Sequence, residues 1–170
     1  MALWLESRAR ALSDQVALKL GTLGNTSRRL SPSDGGRDLP PYPVSWYVIA
    51  TSAELTPGTV LSRRLCGEDA VLFRTQSGDV GMLQAHCPHL GAHFAAGGEV
   101  TGESLQCPFH GFRFDKGGRC VATGYGTSPP VKAQARRWPV VEQNGLILAW
   151  YHPAGEAPTW TVPAWEDEGW

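Results

Sequence analysis

Two cysteines and two histidines near the middle of the chain have the residue types and the spacing of metal ligands. Cys87 and His89 stand two positions apart. Cys107 and His110 stand three positions apart, and seventeen residues, 90–106, lie between the two pairs. Thiolate sulfur and imidazole nitrogen bind zinc and iron readily. The two pairs therefore indicate a metal centre that is held by two short loops.

The mixture of sulfur and nitrogen donors is typical of one kind of iron–sulfur cluster. In a [2Fe-2S] cluster of the Rieske type, two histidines replace two cysteines on one of the two irons. This arrangement requires each loop to supply one ligand to each iron. Cys87 and Cys107 are then predicted to bind the buried iron. His89 and His110 are predicted to bind the outer iron.

A structural zinc site is the alternative use of the same four side chains, and it would make the protein a zinc-binding interaction module. Zinc domains usually take their ligands from Cys-x2–4-Cys pairs. Here each loop carries one cysteine and one histidine, in the patterns Cys-x-His and Cys-x-x-His. The spacing therefore favours the iron–sulfur cluster over zinc.

The other histidines and cysteines of this region are expected to be structural. His93 follows His89 by four positions, a spacing that also opens mononuclear iron sites, but no third ligand accompanies it by pattern. His86 is expected to be a loop residue. Cys66 and Cys120 are expected to be small packing residues. The sequence therefore indicates no catalytic residue.

Length and composition predict one small all-β domain with extensions. The chain has 170 residues, and its 20 glycines and 13 prolines favour many turns and short strands. A net charge of −1 at pH 7 argues against a nucleic-acid partner. Four cysteines without a disulfide framework indicate a reducing compartment, so we expect the cytoplasm. The longest apolar run, Leu146 to Tyr151, is far shorter than the roughly 20 residues of a spanning helix, so we expect neither membrane association nor a secretory signal.

Three parts of the chain differ in composition. Residues 1–38 are predicted to form a short amphipathic helix and a linker. Residues 39–157 are predicted to form a small β-sandwich or barrel, and the cluster-binding part is placed at about 84–126. Residues 158–170 form a tail rich in tryptophan, which either packs back on the domain or begins a further one.

Alternating apolar residues between turn signals predict the strands. The predicted strands cover residues 46–50, 59–65, 70–75, 80–85, 112–115, 120–122, 131–140 and 146–150. Asn144-Gly145 predicts a hairpin with a type I′ turn. Residues 76–79 and Gly117-Gly118 are predicted to close two more hairpins.

These motifs resemble the Rieske domain of Rieske non-haem iron oxygenases. The resembling segments are AHCPHLGAH at 85–93, GG at 97–98, CPFHGFRFD at 107–115 and GGRCV at 117–121, after a WY pair at 46–47. The similarity is greatest to the cholesterol desaturase (Neverland-like) and steroid-hydroxylating branch, and it extends over residues 39–157. It implies a Rieske fold, a [2Fe-2S] cluster and a role in electron transfer.

Two departures from respiratory Rieske proteins bear on the reduction potential. Those relatives carry a disulfide between the two loops, at positions that are Ala92 and Phe109 in this chain. They also carry a serine and a tyrosine that donate hydrogen bonds, where this chain has Phe112 and Phe114. Fewer donors to sulfur stabilise the reduced cluster less. The resemblance therefore implies a potential of about −150 mV rather than about +300 mV.

The predicted function is one-electron transfer within an oxygenase system. The partner is expected to be a reductase, an oxygenase catalytic subunit or a catalytic domain. Oxygenases of this family continue into a domain that holds iron with two histidines and a carboxylate. We find no such pattern in this chain. The chain alone is therefore not expected to oxygenate a substrate. The alternative is the N-terminal fragment of a complete oxygenase that acts on sterols, steroids or aromatic compounds.

Overall fold

The computed structural model describes residues 41–165. The predicted N-terminal helix and linker, 1–38, lie outside this range, as do the last five residues of the predicted tail, 166–170. Among the described residues, no helix is long and apolar enough to cross a membrane.

The described residues form ten strands in three antiparallel sheets, with one short 3₁₀ helix at Ser52–Glu54. The strands are β1 (Ser45–Thr51), β2 (Val60–Leu65), β3 (Glu68–Arg74), β4 (Val80–Gln84), β5 (Glu99–Thr101), β6 (Ser104–Gln106), β7 (Arg113–Asp115), β8 (Cys120–Ala122), β9 (Val140–Gln143) and β10 (Leu146–Tyr151). The sheet orders are β1-β10-β9, β2-β3-β4 and β5-β6-β7-β8. The all-β prediction is confirmed.

Two of the sheets, β1-β10-β9 and β2-β3-β4, form the base of the domain and share one apolar core. Ile147 and Ala149 of β10 pack in the same cluster as Leu72 of β3 and Met82 of β4. Arg74 of β3 also crosses between these sheets to reach β9. The base therefore provides a rigid support for the third sheet.

Strand β3 joins the base to the cluster-binding part because it is buried on both faces. Ala70 and Leu72 lie in the core of the base. Val71 and Phe73 lie in a second core that belongs to the third sheet. Successive residues of a strand point to opposite faces, so one continuous apolar run serves both cores.

The third sheet, β5-β6-β7-β8, carries Cys107 and His110 at one end, and the loop with Cys87 and His89 lies in the connection from β4 to β5. Cys107 directly follows β6, and residues 107–112 connect β6 to β7. The core beneath this sheet includes Phe94, Leu105 and Phe114, none of which is exposed to solvent. The same core contains Cys87 and Cys107, so the metal centre is built against packed aromatic side chains.

The hairpin turns predicted at residues 76–79, Gly117-Gly118 and Asn144-Gly145 are present, and a further one at Cys66-Gly67 was not predicted. Asn144 and Gly145 have φ of 55° and 74°, as a type I′ turn requires. Cys66 and Gly67 connect β2 to β3 with φ of 49° and 85°, which is a second turn of this kind. Gly118 closes the β7–β8 hairpin and lies so close to the backbone of the segment beside it that a side chain has no room.

One predicted strand is wrong. Residues 131–140 alternate, but only Val140 belongs to a strand in this range. Gln134 instead makes an isolated bridge to Arg119, and Arg137 makes one to Leu83. The segment crosses from the third sheet to the base, and it therefore pairs with each sheet through single residues. The short strands β5 and β6 were not predicted. The equally short β7 and β8 were predicted because Gly117-Gly118 marks the turn between them.

The tryptophan tail packs back on the base as far as it is described. The indole N–H of Trp46 donates to the carbonyl of Trp160 at 2.9 Å. The Trp160 ring meets the edge of the buried Trp150 ring, with centroids 6.1 Å apart. The backbone N–H of Trp165 donates to the side-chain oxygen of Asn144 at 2.7 Å. These contacts cover the outer face of β1 and β10.

Candidate metal centre

The first ligand loop runs from Cys87 to Ala92 and is closed by its own backbone. The N–H of Cys87 donates to the carbonyl of Ala92 at 2.9 Å, and the N–H of Gly91 donates to the carbonyl of Cys87 at 2.8 Å. Gly91 has φ of 78°, a conformation that favours glycine. Pro88 restricts the backbone directly after the cysteine.

The second ligand loop, Cys107 to Phe112, repeats this geometry. The N–H of Cys107 donates to the carbonyl of Phe112 at 2.8 Å, and the N–H of Gly111 donates to the carbonyl of Cys107 at 3.2 Å. Gly111 has φ of 65°. The two loops are therefore matching turns, each beginning at a cysteine, although the histidine stands one position later in the second.

Both cysteines are buried and lie side by side. Cys87 is 3% exposed and Cys107 is 2% exposed. Burial raises the pKa of the Cys87 thiol to about 11, and the neighbouring thiol of Cys107 adds to the rise. The backbone N–H groups of His89 and Leu90 act in the opposite direction by hydrogen bonding to the sulfur. A buried thiol with such a raised pKa needs a bound cation to be held as a thiolate, and the pocket already supplies backbone donors to the Cys87 sulfur.

Both histidines lie at the outer side of the loops. The rings of His89 and His110 have centroids 5.0 Å apart and planes at 70°. His89 is exposed and His110 is partly exposed, in contrast to the cysteines. The structure therefore places two thiols inside and two imidazoles outside.

A third loop, 123–130, supports the ligand loops, and the sequence did not identify this role. The backbone of Gly124 lies against the carbonyl of His110, so that a Cβ at Gly124 would lie 2.2 Å from that oxygen. The ring of Tyr125 lies 6.2 Å from His110 and 6.1 Å from Phe112, between centroids. The signal that could have shown this role is the Thr-Gly-Tyr-Gly run at 123–126, where two glycines flank one aromatic residue.

His86 and His93 close the base of the first loop instead of joining the ligand pairs. They form an isolated antiparallel bridge, and their rings meet edge to face at 5.1 Å. The Nδ1 atom of His93 accepts a hydrogen bond from the N–H of Ala95 at 3.1 Å. These contacts give both histidines a structural role in the loop.

The other two cysteines lie outside the two ligand loops, although Cys120 belongs to the same buried core as Cys87 and Cys107. All four cysteines of the described range are free thiols. Cys120 is 6% exposed and donates from its sulfur to the carbonyl of Ala122 at 3.3 Å. Cys66 lies in the β2–β3 turn, and burial raises the pKa of its thiol.

Within residues 41–165, no three His, Cys, Asp or Glu side chains close around one point as ligands of a single ion would. The predicted ligands are instead arranged as a pair of thiols and a pair of imidazoles. Two irons with two protein ligands each require such a paired arrangement.

Comparison with known proteins identifies the class. The chain belongs to the Rieske [2Fe-2S] domain family, whose model matches residues 45–134. This range contains both ligand loops and the third loop. The cofactor of this family is a Rieske [2Fe-2S] cluster, and the two thiols and two imidazoles described above fit it in number, type and placement.

The particular relatives lie among sterol- and steroid-acting oxygenases, as the sequence motifs indicated. The chain is 43% identical over 129 residues to cholesterol 7-desaturase 1 of Ciona intestinalis, covering 75% of this chain and 27% of that protein. It is 31% identical over 136 residues to the oxygenase component of 3-ketosteroid-9-alpha-monooxygenase from Rhodococcus rhodochrous, covering 80% and 36%. The chain therefore spans about a quarter to about a third of the length of these relatives.

Solved structures with the same fold are also Rieske oxygenases. Dicamba monooxygenase superposes with a TM-score of 0.62 at 36% identity, covering 70% of this chain and 35% of that chain. The terminal oxygenase of carbazole 1,9a-dioxygenase from Nocardioides aromaticivorans IC177 superposes with a TM-score of 0.62 at 25% identity, covering 69% and 32%. The likeness thus confirms the Rieske-type fold.

Proposed function

We propose that the chain is the electron-transfer unit of an oxygenase system and passes one electron at a time. The observation that carries the proposal is the pair of matching loops, which bury two thiols and leave two imidazoles at the surface. A bound [2Fe-2S] cluster supplies the redox chemistry, because one of its irons can alternate between the ferric and ferrous states.

The proposed ligands are Cys87 and Cys107 for the inner iron. His89 and His110 are the proposed ligands of the outer iron. The cysteines bind as thiolates and are shielded from water by the core of the third sheet. The histidines face solvent, so the shortest path for an electron to leave the protein runs through their rings.

The side chains beside the loops support a low reduction potential. Phe112 and Phe114 offer no hydroxyl to the cluster. The Phe112 ring is 7% exposed, and the Phe114 ring packs edge to face on Phe94 with centroids 5.6 Å apart. Because these two side chains are apolar, they add no hydrogen bond to those that backbone N–H groups donate near Cys87. We therefore propose a reduction potential near the lower end of the Rieske range.

The oxygenase itself is proposed to act on a sterol or steroid. Relatives of this chain are cholesterol 7-desaturases and a 3-ketosteroid monooxygenase component, and the chain matches only part of their length. On this basis, residues 39–157 form the Rieske domain, the cluster-binding part spans about 84–126, and 158–170 is a tryptophan-rich tail. The proposed partners are a reductase or ferredoxin and an oxygenase catalytic unit. None of the four described cysteines forms a disulfide, which supports the proposal of a cytoplasmic location.

Metal and sulfide analysis of the purified protein tests this proposal. We expect two irons and two acid-labile sulfides per chain and, after dithionite reduction, an electron paramagnetic resonance signal from a mixed-valence cluster. Cys107→Ser should lose the cluster, whereas Cys120→Ser, which changes a buried cysteine outside the two ligand loops, should keep it. One zinc per chain without iron would instead assign the site to a structural zinc module.

A further inference from the structure

The side chain of Asn144 is held by the tail through both of its polar atoms. Its Oδ1 accepts a hydrogen bond from the backbone N–H of Trp165 at 2.7 Å, and its Nδ2 donates to the carbonyl of Pro163 at 3.1 Å. Asn144 itself lies at the exposed β9–β10 turn. The amide group of this exposed side chain is therefore fixed by contacts with a segment that lies far from it in the sequence.

Asn144 is followed by glycine, and this dipeptide is chemically labile. The chain has two asparagines, Asn25 and Asn144, and only Asn144 precedes a glycine. The backbone nitrogen of the next residue can attack the side-chain amide carbon of asparagine, and glycine obstructs this attack least because it has no side chain. The space around Gly145 is open, since no heavy atom beyond its chain neighbours lies within 4 Å of the position that its Cβ would take. The turn therefore has room for the ring that this attack forms.

The folded structure restrains both partners of this reaction. Ring closure requires the Cγ atom of Asn144 to approach the nitrogen of Gly145. The side chain cannot make this movement until its two hydrogen bonds to Trp165 and Pro163 are broken. The turn backbone is also restrained, because the carbonyl of Gly145 accepts from the N–H of Ser52 at 2.8 Å. Opening of the tail therefore removes the restraint that acts directly on the reacting side chain.

The tail is attached to the base by weak contacts. Besides its bonds to Asn144, it accepts a hydrogen bond from the Trp46 indole at the carbonyl of Trp160, with a length of 2.9 Å. The side chains of Trp160 and Trp165 remain 47% and 76% exposed. Segments with few buried contacts open locally at a small fraction of the free energy of global unfolding. We therefore expect the tail to release Asn144 from time to time while the base stays folded.

We propose that Asn144 is a deamidation site that the docked tail keeps unreactive. In the open state, the nitrogen of Gly145 bonds to Cγ of Asn144 and the Cγ–Nδ2 bond breaks, so that ammonia leaves and a succinimide ring remains. Water then opens the ring to aspartate or isoaspartate, and no oxidant, reductant or cofactor is consumed. This inference is independent of the proposed electron transfer.

The reaction makes release of the tail permanent. Isoaspartate adds a methylene group to the backbone of a two-residue turn, whose register pairs Gln143 with Leu146. Aspartate preserves the turn, but its carboxylate has no N–H to donate and faces the carbonyl oxygen of Pro163. Both products thus lack the donor that binds Pro163, and the tail loses one of its few attachments.

Replacing Trp165 separates the backbone hydrogen bond from the indole ring. Trp165→Pro removes the N–H that donates to Asn144. Trp165→Ala is the matched control, because it keeps this N–H and loses only a largely exposed ring. Relative to the unaltered protein, we expect deamidation of Asn144 to be faster by about fivefold or more in Trp165→Pro, which is the factor that one hydrogen bond contributes. The rate should be nearly unchanged in Trp165→Ala.

A change at the other end of the tail tests whether docking of the whole segment controls the reaction. Trp46→Phe removes the indole N–H that donates to Trp160 and does not alter a residue in contact with Asn144. We expect this variant to deamidate faster than the unaltered protein as well. Circular dichroism establishes that each variant is folded before its rate is compared.

Peptide mapping by mass spectrometry follows the reaction during incubation at mildly alkaline pH, and enzymatic methylation of isoaspartate identifies that product. The chain denatured in urea gives the unprotected rate, which should exceed the rate of the folded, unaltered protein by about tenfold or more. Protease cleavage within 158–165 should be faster in the deamidated fraction. Equal rates in Trp165→Pro and Trp165→Ala, or a folded rate as high as the denatured one, would overturn the inference.

Discussion

The imidazole of His89 lies stacked on the ring of Phe112, with centroids 4.4 Å apart and planes 24° apart. The Phe112 ring is itself held by the edge of Tyr125 and is 7% exposed. The stack fixes the plane of a proposed iron ligand. It also places a hydrocarbon ring at the position where respiratory Rieske proteins have a hydroxyl donor.

Replacing Phe112 tests how this ring sets the reduction potential. Phe112→Ser introduces a hydroxyl beside the cluster, and we expect the midpoint potential to rise by about 40 mV if the new hydrogen bond favours the reduced state by about 1 kcal/mol. Phe112→Leu removes the ring without adding a donor and should leave the potential nearly unchanged. Redox titration at one pH compares them, and an equal rise in both variants would show that the hydroxyl is not the cause.

The close approach of Gly124 to His110 predicts a defect in cluster retention without loss of a ligand. Gly124→Ala places a methyl group 2.2 Å from the carbonyl oxygen of His110, so the third loop must move away. We expect faster loss of iron to a chelator, by tenfold or more. Gly126→Ala is the control, because it lies in the same loop at φ of 70° with open space around it. Equal iron loss in both variants would contradict a specific support of His110.

The ion pair between Arg74 and Glu142 predicts the acid sensitivity of the base. Arg74 donates two hydrogen bonds of 2.8 Å to the carboxylate, and these lower the pKa of Glu142 from its ordinary value of 4.5 to about 2. Because the folded pKa is depressed, the contribution to stability is present above pH 4.5 and is lost as the pH falls towards 2.

Glu142→Gln measures this contribution. At pH 7 we expect the free energy of unfolding to fall by about 1–2 kcal/mol, since Arg74 is buried but the carboxylate is partly exposed. The difference from the unaltered protein should shrink as the pH falls from 4.5 to 2. Glu68→Gln breaks the exposed pair with Arg136 and should change stability by less than about 0.5 kcal/mol. Denaturant titrations at several pH values check both variants.

Asn144 has two separable roles, in the β9–β10 turn and in holding the tail. Its side-chain oxygen accepts from Trp165, and its side-chain amide donates to the carbonyl of Pro163 at 3.1 Å. Asn144→Gly keeps the turn, because glycine adopts its φ of 55° readily, but removes both bonds to the tail. We expect protease cleavage within 158–165 to become faster while the domain stays folded. Asn144→Ala should also strain the turn and lower the free energy of unfolding further. Equal effects of the two variants would contradict the claim that the turn and the tail contacts are separate roles of Asn144.

The two ligand loops and the main hairpins could be located from local sequence. The Cys-x-His and Cys-x-x-His loops each depend on residues only a few positions apart. The Asn144-Gly145 turn between its two apolar runs does so as well. The type I′ turn formed by Cys66 and Gly67 carries a weaker signal, because cysteine rarely adopts a positive φ.

The features that sequence alone missed depend on contacts between distant segments. The segment 131–140 alternates like a strand, but it serves two sheets in turn and pairs continuously with neither. The support of His110 by Gly124 joins residues from separate loops, and no spacing rule connects them. The sequence left open whether the tail packs back on the domain, because the contact of Trp160 with Trp150 depends on how the chain turns after residue 157.

The most direct test of the proposed centre is pulsed electron paramagnetic resonance of the reduced protein labelled with nitrogen-15 at histidine. We predict couplings from two histidine nitrogens to a single mixed-valence [2Fe-2S] cluster, and the loss of one coupling or of the cluster in either His89→Cys or His110→Cys. A cluster with no histidine coupling, or a protein that binds zinc and no iron, would contradict the assignment.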